Sequence, residues 1–133
     1  MTTRIVVIDN DPKILDAMQE ALTEEGFEVA VFEDTKDILG LVKQYQPHLI
    51  ITDYILEGIN GGELCRQLKS NPETANLPVI ICSAYSNILN SLGFYGCDAF
   101  LAKPFELTDL VAEVELLLRQ NYMNVVRESS SEK

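Results

Sequence analysis

The stretch IITDYILEGINGG, residues 50–62, runs an apolar segment straight into an acid and then into a glycine-rich loop. Continuous runs of Val, Ile and Leu suit strands buried on both faces, as in a parallel sheet. HLIITD, residues 48–53, is therefore read as a strand with Asp53 at its end. Alone, Asp53 fits a solvated loop residue, a cap or a reactive carboxylate. Working outward, RIVVID (4–9), PVIICS (78–83) and DAFLA (98–102) have the same form. FEVAVFE (27–33) alternates apolar with polar or small residues and reads as a more exposed strand near a sheet edge.

Helical patterns separate these runs. NDPKILDAMQEALTEEG (10–26) has Asp11 as an N-cap, Pro12 at the first helical position and Gly26 to close it. Ile14, Leu15, Met18, Ala21 and Leu22 share one face. Further helices are expected in DTKDILGLVKQYQP (34–47), GGELCRQLKSNP (61–72) and, weakly, SNILNSLGFYG (86–96). LTDLVAEVELLLRQNYM (107–123) carries the clearest stripe, and residues 124–133 are expected to be a flexible tail or linker. Strict strand–helix alternation implies an α/β fold with right-handed crossovers and helices on both faces of the sheet. Ligands in such sheets bind beyond the carboxyl ends of the strands.

The 133 residues, 47% hydrophobic, suit one domain with a real core. A net charge of -11 repels nucleic acid and anionic membranes and favours cations or basic partner surfaces. No apolar run approaches the roughly 20 residues that span a bilayer, and the start resembles no secretory signal. A cytoplasmic location is the expectation. Cys65, Cys82 and Cys97 lack CxxC spacing, and one histidine gives no zinc pattern, so the cysteines read as small buried hydrophobes. His48 reads as a strand-flanking surface residue and not as a phosphorelay histidine.

The strand ends collect chemistry. Asp9, Asn10 and Asp11 follow the first strand, Asp53 ends the third, Ser83 the fourth, and Lys103-Pro104 follow the fifth. Acids and an amide can hold a hard divalent cation through oxygen. A lysine and a hydroxyl can hold phosphate oxygens. Together they describe a place where a carboxylate accepts a phosphoryl group with Mg²⁺ neutralising charge.

The order and spacing of VVIDNDP, LIITDYILEGINGGEL, VIICSAY and DAFLAKPF resemble the receiver domains of two-component response regulators over about residues 3–122. The resemblance implies a flavodoxin-like (βα)5 three-layer sandwich, strand order 2-1-3-4-5, with a receiver domain over 1–123. It implies Asp53 as phosphoacceptor, with Asp9, Asn10, Asp53 and the backbone carbonyl of Ile55 at the metal. Ser83, the Ala84 backbone N–H and Lys103 would contact phosphate, Ser83 and Phe100 would act as switch residues, and the Lys103-Pro104 bond would be cis. The chain would not be an enzyme beyond slow self-dephosphorylation.

Departures from that pattern carry their own expectations. Asn10 replaces a usual acid, so Mg²⁺ binding should be weak. Asp11 could compensate, but its capping role competes. Glu57 replaces a proline, and Gly58 with Gly61-Gly62 should make the loop mobile. Phe100 lacks the hydroxyl of a tyrosine. Ile55 and Tyr85 flank the path of a hydrolysing water and should slow phosphate loss. Ser83 to Lys103 spans 20 residues, about two fewer than usual, which shortens the region of the fourth helix. A phosphorylation-activated switch follows, charged by a histidine kinase or histidine phosphotransferase and acting through the surface of the fourth helix, fifth strand and last helix. It would work on a downstream protein or an output domain missing from the chain, as a monomer or weak homodimer through Tyr122 and Met123. The alternative is a degenerate receiver serving as a phosphorylation-independent interaction module. A phosphatase fits less well, because Ile55 stands where a second acid would be needed.

Overall fold

A computed structural model describes residues 2–85 and 96–131, apart from the side chains of Val125 and of 127–131. The elements are β1 (Arg4–Ile8), α1 (Pro12–Glu24), β2 (Glu28–Phe32), α2 (Ile38–Tyr45), β3 (Leu49–Asp53), α3 (Gly61–Ser70), β4 (Val79–Ser83), β5 (Ala99–Ala102) and α4 (Leu107–Ser131). The expected helix over 86–96 falls almost wholly outside the described residues. All neighbouring strands pair in parallel, in the order β2-β1-β3-β4-β5. The three-layer flavodoxin-like sandwich is thus the observed architecture, with β2 at an edge.

The apolar runs explain the layers. Every residue of β3 and β4 is buried, because both faces of these central strands carry helices. On one face Ile5, Val7, Ile51 and Ile80 pack with Leu15, Met18 and Leu22 of α1 and Leu110, Val114 and Leu117 of α4. On the other, Val6, Ile8, Ile50 and Ile81 pack with Ile38 and Leu41 of α2 and Leu64, Cys65 and Leu68 of α3. The register pairs Ile51 with both Val7 and Ile80, so one row of side chains crosses the central sheet. Burial pushes the thiols of Cys65 and Cys82 up to about 12, in keeping with inert core cysteines.

Local chemistry sets the ends. Asp11 caps α1 by accepting from the Lys13 backbone N–H at 3.0 Å. Asn60 caps α3 by accepting from the Glu63 N–H at 2.8 Å. His48 precedes β3 at the end of the sheet away from Asp53, where its Nδ1 accepts from the Arg4 backbone N–H at 2.9 Å. That bond is structural and gives no support to a relay role. The helix expected to stop near Met123 continues to Ser131. Residues 124–131 hold neither Gly nor Pro to end it, and each added residue gains one hydrogen bond once a helix is running.

The glycine-rich loop differs from expectation in one respect. Gly58 does adopt a left-handed conformation, with φ +85. Gly61 and Gly62, however, are buried in the first turn of α3 instead of loosening the loop. The Gly61 N–H donates to the Tyr54 carbonyl at 2.8 Å. A Cβ on Gly61 would lie 3.0 Å from the Tyr54 Cα and closer still to the Asp53 carbonyl oxygen. Helix α3 therefore starts against the end of β3 only because residue 61 has no side chain. Gly61→Ala should destabilise the fold by about 1–3 kcal/mol, the usual cost of overpacking, as a lowered urea midpoint. A midpoint equal to wild type would contradict this close approach.

Candidate functional site

The parallel topology brings the ends of β1, β3, β4 and β5 to one edge. Asp9 follows β1, is fully buried, and is fixed there by its N–H donating to the Phe32 carbonyl at 3.0 Å. One carboxylate oxygen, Oδ1, accepts from the Asp11 N–H at 2.9 Å. The other, Oδ2, accepts from Lys103 Nζ at 2.7 Å. Asp53 ends β3 and is 7% exposed, and its Oδ2 lies 3.5 Å from the same Nζ. The Tyr54 N–H donates to the Cys82 carbonyl at 2.8 Å, which ties the turn after Asp53 to β4. Lys103 follows β5, its N–H donates to the Ser83 carbonyl at 2.8 Å, and its peptide bond to Pro104 is cis.

Three of the sequence-derived site residues, Asp9, Asp53 and Lys103, thus meet in one ionic cluster. Ser83 is buried at the end of β4, one position beyond Cys82, the residue paired with Asp53. Its Oγ accepts from the Tyr85 N–H at 3.0 Å, closing a tight turn. Ala84 is exposed at that turn, and Asn10 is exposed at the rim beside Asp9. Ile55 is 46% and Tyr85 58% exposed. Phe100 is half-buried and packs on the cluster that contains Ile81 and Leu64. The resemblance places Lys103 at phosphate alone. Its hold on Asp9 has no local signal in the sequence, because two side chains 94 positions apart meet only through the sheet order.

The electrostatics follow from burial. Removal from water pushes the Asp53 carboxyl up, and the nearby Asp9 charge pushes the same way. Lys103 and the backbone N–H of Ile55 oppose this without cancelling it. Burial works against the Lys103 ammonium, but the Asp9 hydrogen bond and the Asp53 and Asp9 charges override it and leave its pKa raised. The cluster holds two carboxylates against one ammonium, so it retains unmatched negative charge. Its side-chain oxygens are the two carboxylates of Asp9 and Asp53, a donor type that suits a hard cation such as Mg²⁺ over a thiophilic metal. Among the described residues no group of three or more His, Cys, Asp or Glu side chains forms a metal cluster.

A family model for the response regulator receiver domain matches residues 5–115. The chain belongs to the response regulator receiver domain family. Similar curated proteins include the DNA-binding response regulator MtrA of Mycolicibacterium smegmatis, 34% identical over 91% of this chain and 53% of MtrA. The DNA-binding dual master transcriptional regulator RpaA of Synechocystis is 35% identical over 88% of this chain and 49% of RpaA. The receiver chain therefore spans about half the length of these relatives. Among solved structures, a CheY-like receiver domain protein of Methanospirillum hungatei superposes with TM-score 0.85 at 25% identity, covering 93% of this chain and 99% of that one. The response regulator TrrA of Thermotoga maritima, in complex with Mg²⁺-BeF, superposes with TM-score 0.78 at 28% identity, covering 87% and 99%. No described helix of this receiver is long and apolar enough to cross a membrane.

A raised carboxyl pKa has a consequence for stability. The unfolded chain ionises Asp53 more readily than the native one, so the native state is penalised as pH rises through the folded pKa. Asp53→Asn should therefore raise the urea midpoint at pH 7. The advantage should shrink as pH falls through the raised pKa of Asp53 toward the ordinary carboxylate value, and vanish below it. A variant less stable than wild type at pH 7 would contradict the assigned direction.

Proposed function

We propose that this receiver is a phosphorylation-activated switch in which Asp53 is the phosphoacceptor. The convergence of Asp9, Asp53 and Lys103 in one water-poor ionic cluster carries the reading. An Asp53 carboxylate oxygen attacks the phosphorus of a phosphohistidine on a histidine kinase or histidine phosphotransferase. The P–N bond breaks, the imidazole leaves and takes up a proton, and an acyl phosphate remains on Asp53. Asp9, Asn10, Asp53 and the Ile55 carbonyl are the residues that would hold Mg²⁺, which when bound neutralises charge on the phosphoryl oxygens. Lys103 exchanges part of its contact with Asp9 for the phosphoryl group. Ser83 turns its hydroxyl toward that group, and the Ala84 N–H donates to it. Phe100 follows Ser83 and alters the surface around β5, shifting populations through differential contacts.

An apolar cleft of about 480 Å³ lies beside the cluster, lined by Ile14, Ala17 and Met18 of α1 and by Pro104, Phe105 and Leu107. It is the natural seat for the phosphodonor partner. Residues 1–123 form the switch, which acts on a downstream protein or an output domain. This domain itself contributes neither nucleic-acid nor membrane contacts, works as a monomer or weak homodimer, and acts in the cytoplasm. Beyond slow self-dephosphorylation it has no catalytic activity.

Incubation with Mg²⁺ and a small-molecule phosphodonor should add one phosphoryl group to the intact mass, and Asp53→Ala should abolish the gain. No gain with either donor or kinase would instead favour a constitutive interaction module. The bulk of Ile55 and Tyr85 should keep the phosphoform for many minutes, and decay within seconds would contradict that role. Mg²⁺ should bind the wild type with a Kd of roughly 0.1–1 mM, the range of low-charge oxygen sites, and Asn10→Asp should tighten it about tenfold. A micromolar wild-type Kd by titration would refute the account of Asn10.

A further inference from the structure

A second ionic cluster lies at the opposite end of β4 and β5 from the phosphoacceptor edge. Lys69, near the end of α3, is only 18% exposed in its side chain. Its Nζ donates to the Leu77 carbonyl at 2.8 Å, to the Ala75 carbonyl at 3.2 Å and to Asp98 Oδ2 at 2.8 Å. The same Asp98 oxygen accepts from the Val79 N–H at 2.8 Å, while the Asp98 N–H donates to the Val79 carbonyl at 2.9 Å. One ammonium therefore ties helix α3, the loop before β4 and the turn before β5 to a single point.

That point is the start of a ladder. From Asp98 the register runs Ile80 with Ala99, Ile81 with Phe100, Cys82 with Leu101 and Ser83 with Ala102, and it ends where the Lys103 N–H meets the Ser83 carbonyl. β5 has only four residues and, among the described residues, pairs with β4 alone. So short a strand has little intrinsic hold on its register. A one-residue slip would carry Lys103 about 3.3 Å along the sheet, more than the distance that now separates its Nζ from Asp9.

We infer that Lys69 is a positioning residue for phosphoryl transfer. By clamping Asp98 against Val79 it fixes the register of β5, and so sets the reach of Lys103 to Asp9 and Asp53. The inference rests on the function proposed above, but its structural half is measurable without phosphorylation. Lys69→Met keeps an unbranched side chain out to Cε and removes the ammonium. Hydrogen exchange of the unphosphorylated protein should then speed up at the Asp98 and Lys103 amides at least tenfold more than at the Asp9 and Tyr54 amides. The latter two pair elsewhere, with Phe32 and Cys82. Lys69→Arg should restore protection. In the phosphodonor assay, Lys69→Met should slow phosphorylation at least fivefold in the wild-type background and leave the rate unchanged in a Lys103→Met background, since the clamp acts through Lys103. Uniform acceleration at all four amides, no acceleration, or the same fold-loss in both backgrounds would overturn the inference. A wild type that takes no phosphoryl group would sink the proposed function instead, and the exchange pattern would still decide whether Lys69 sets the register.

Discussion

Lys103 Nζ stands 2.7 Å from Asp9 and 3.5 Å from Asp53, and the rest of the receiver is arranged so that this three-way contact can exist. Two carboxylates nearly withdrawn from water repel one another and are poorly solvated, so they persist as neighbours only with a cation between them. Lys103 supplies that charge, yet one ammonium leaves two carboxylates under-neutralised. The site is thus an incompletely balanced cluster. Burial first, and the neighbouring Asp9 charge second, leave the pKa of Asp53 raised despite Lys103.

The fold keeps the cluster together by giving each member a separate anchor in a single sheet. Asp9 is held by the Phe32 carbonyl, the turn after Asp53 by Cys82, and Lys103 by Ser83. These are backbone bonds between parallel strands whose central members are buried on both faces, so the edge inherits the rigidity of the core. Gly61 adds a steric condition, because α3 can begin beside Asp53 only without a Cβ at that position. The Lys69–Asp98 clamp would do for the far end of β5 what Ser83 does for the near one.

Much of this was legible in the amino-acid sequence, for identifiable reasons. Buried parallel strands announce themselves as unbroken apolar runs, and the cap Asp11 lies at the start of α1, whereas the Asn60 cap of α3 is seen only in the structure. The position of an acid or lysine just after such a run follows once the strands are placed, which is why the sequence places Asp9, Asp53 and Lys103 at one edge, where the structure brings them into contact. What stayed hidden depends on through-space distance. No local pattern reveals that Lys103 is paired with Asp9, or that Lys69 reaches Asp98 across 29 positions. Gly61 looked like a source of looseness because glycine signals freedom in a chain read alone; packing turned that absence of a side chain into a requirement. The end of α4 is hidden for a different reason: residues 124–133 have little to bury and read as a tail, while nothing in residues 124–131 breaks a helix and α4 runs to Ser131.

The central claim is that Asp53, and no other carboxylate of this acidic chain, takes the phosphoryl group. Borohydride reduction of the phosphodonor-treated protein converts an aspartyl phosphate to homoserine, and tandem mass spectrometry locates the conversion. Homoserine at position 53, dependent on Mg²⁺ and on the donor, is the predicted result. Homoserine at Asp9, Asp11 or elsewhere, or none despite a phosphorylated intact mass, would contradict the account.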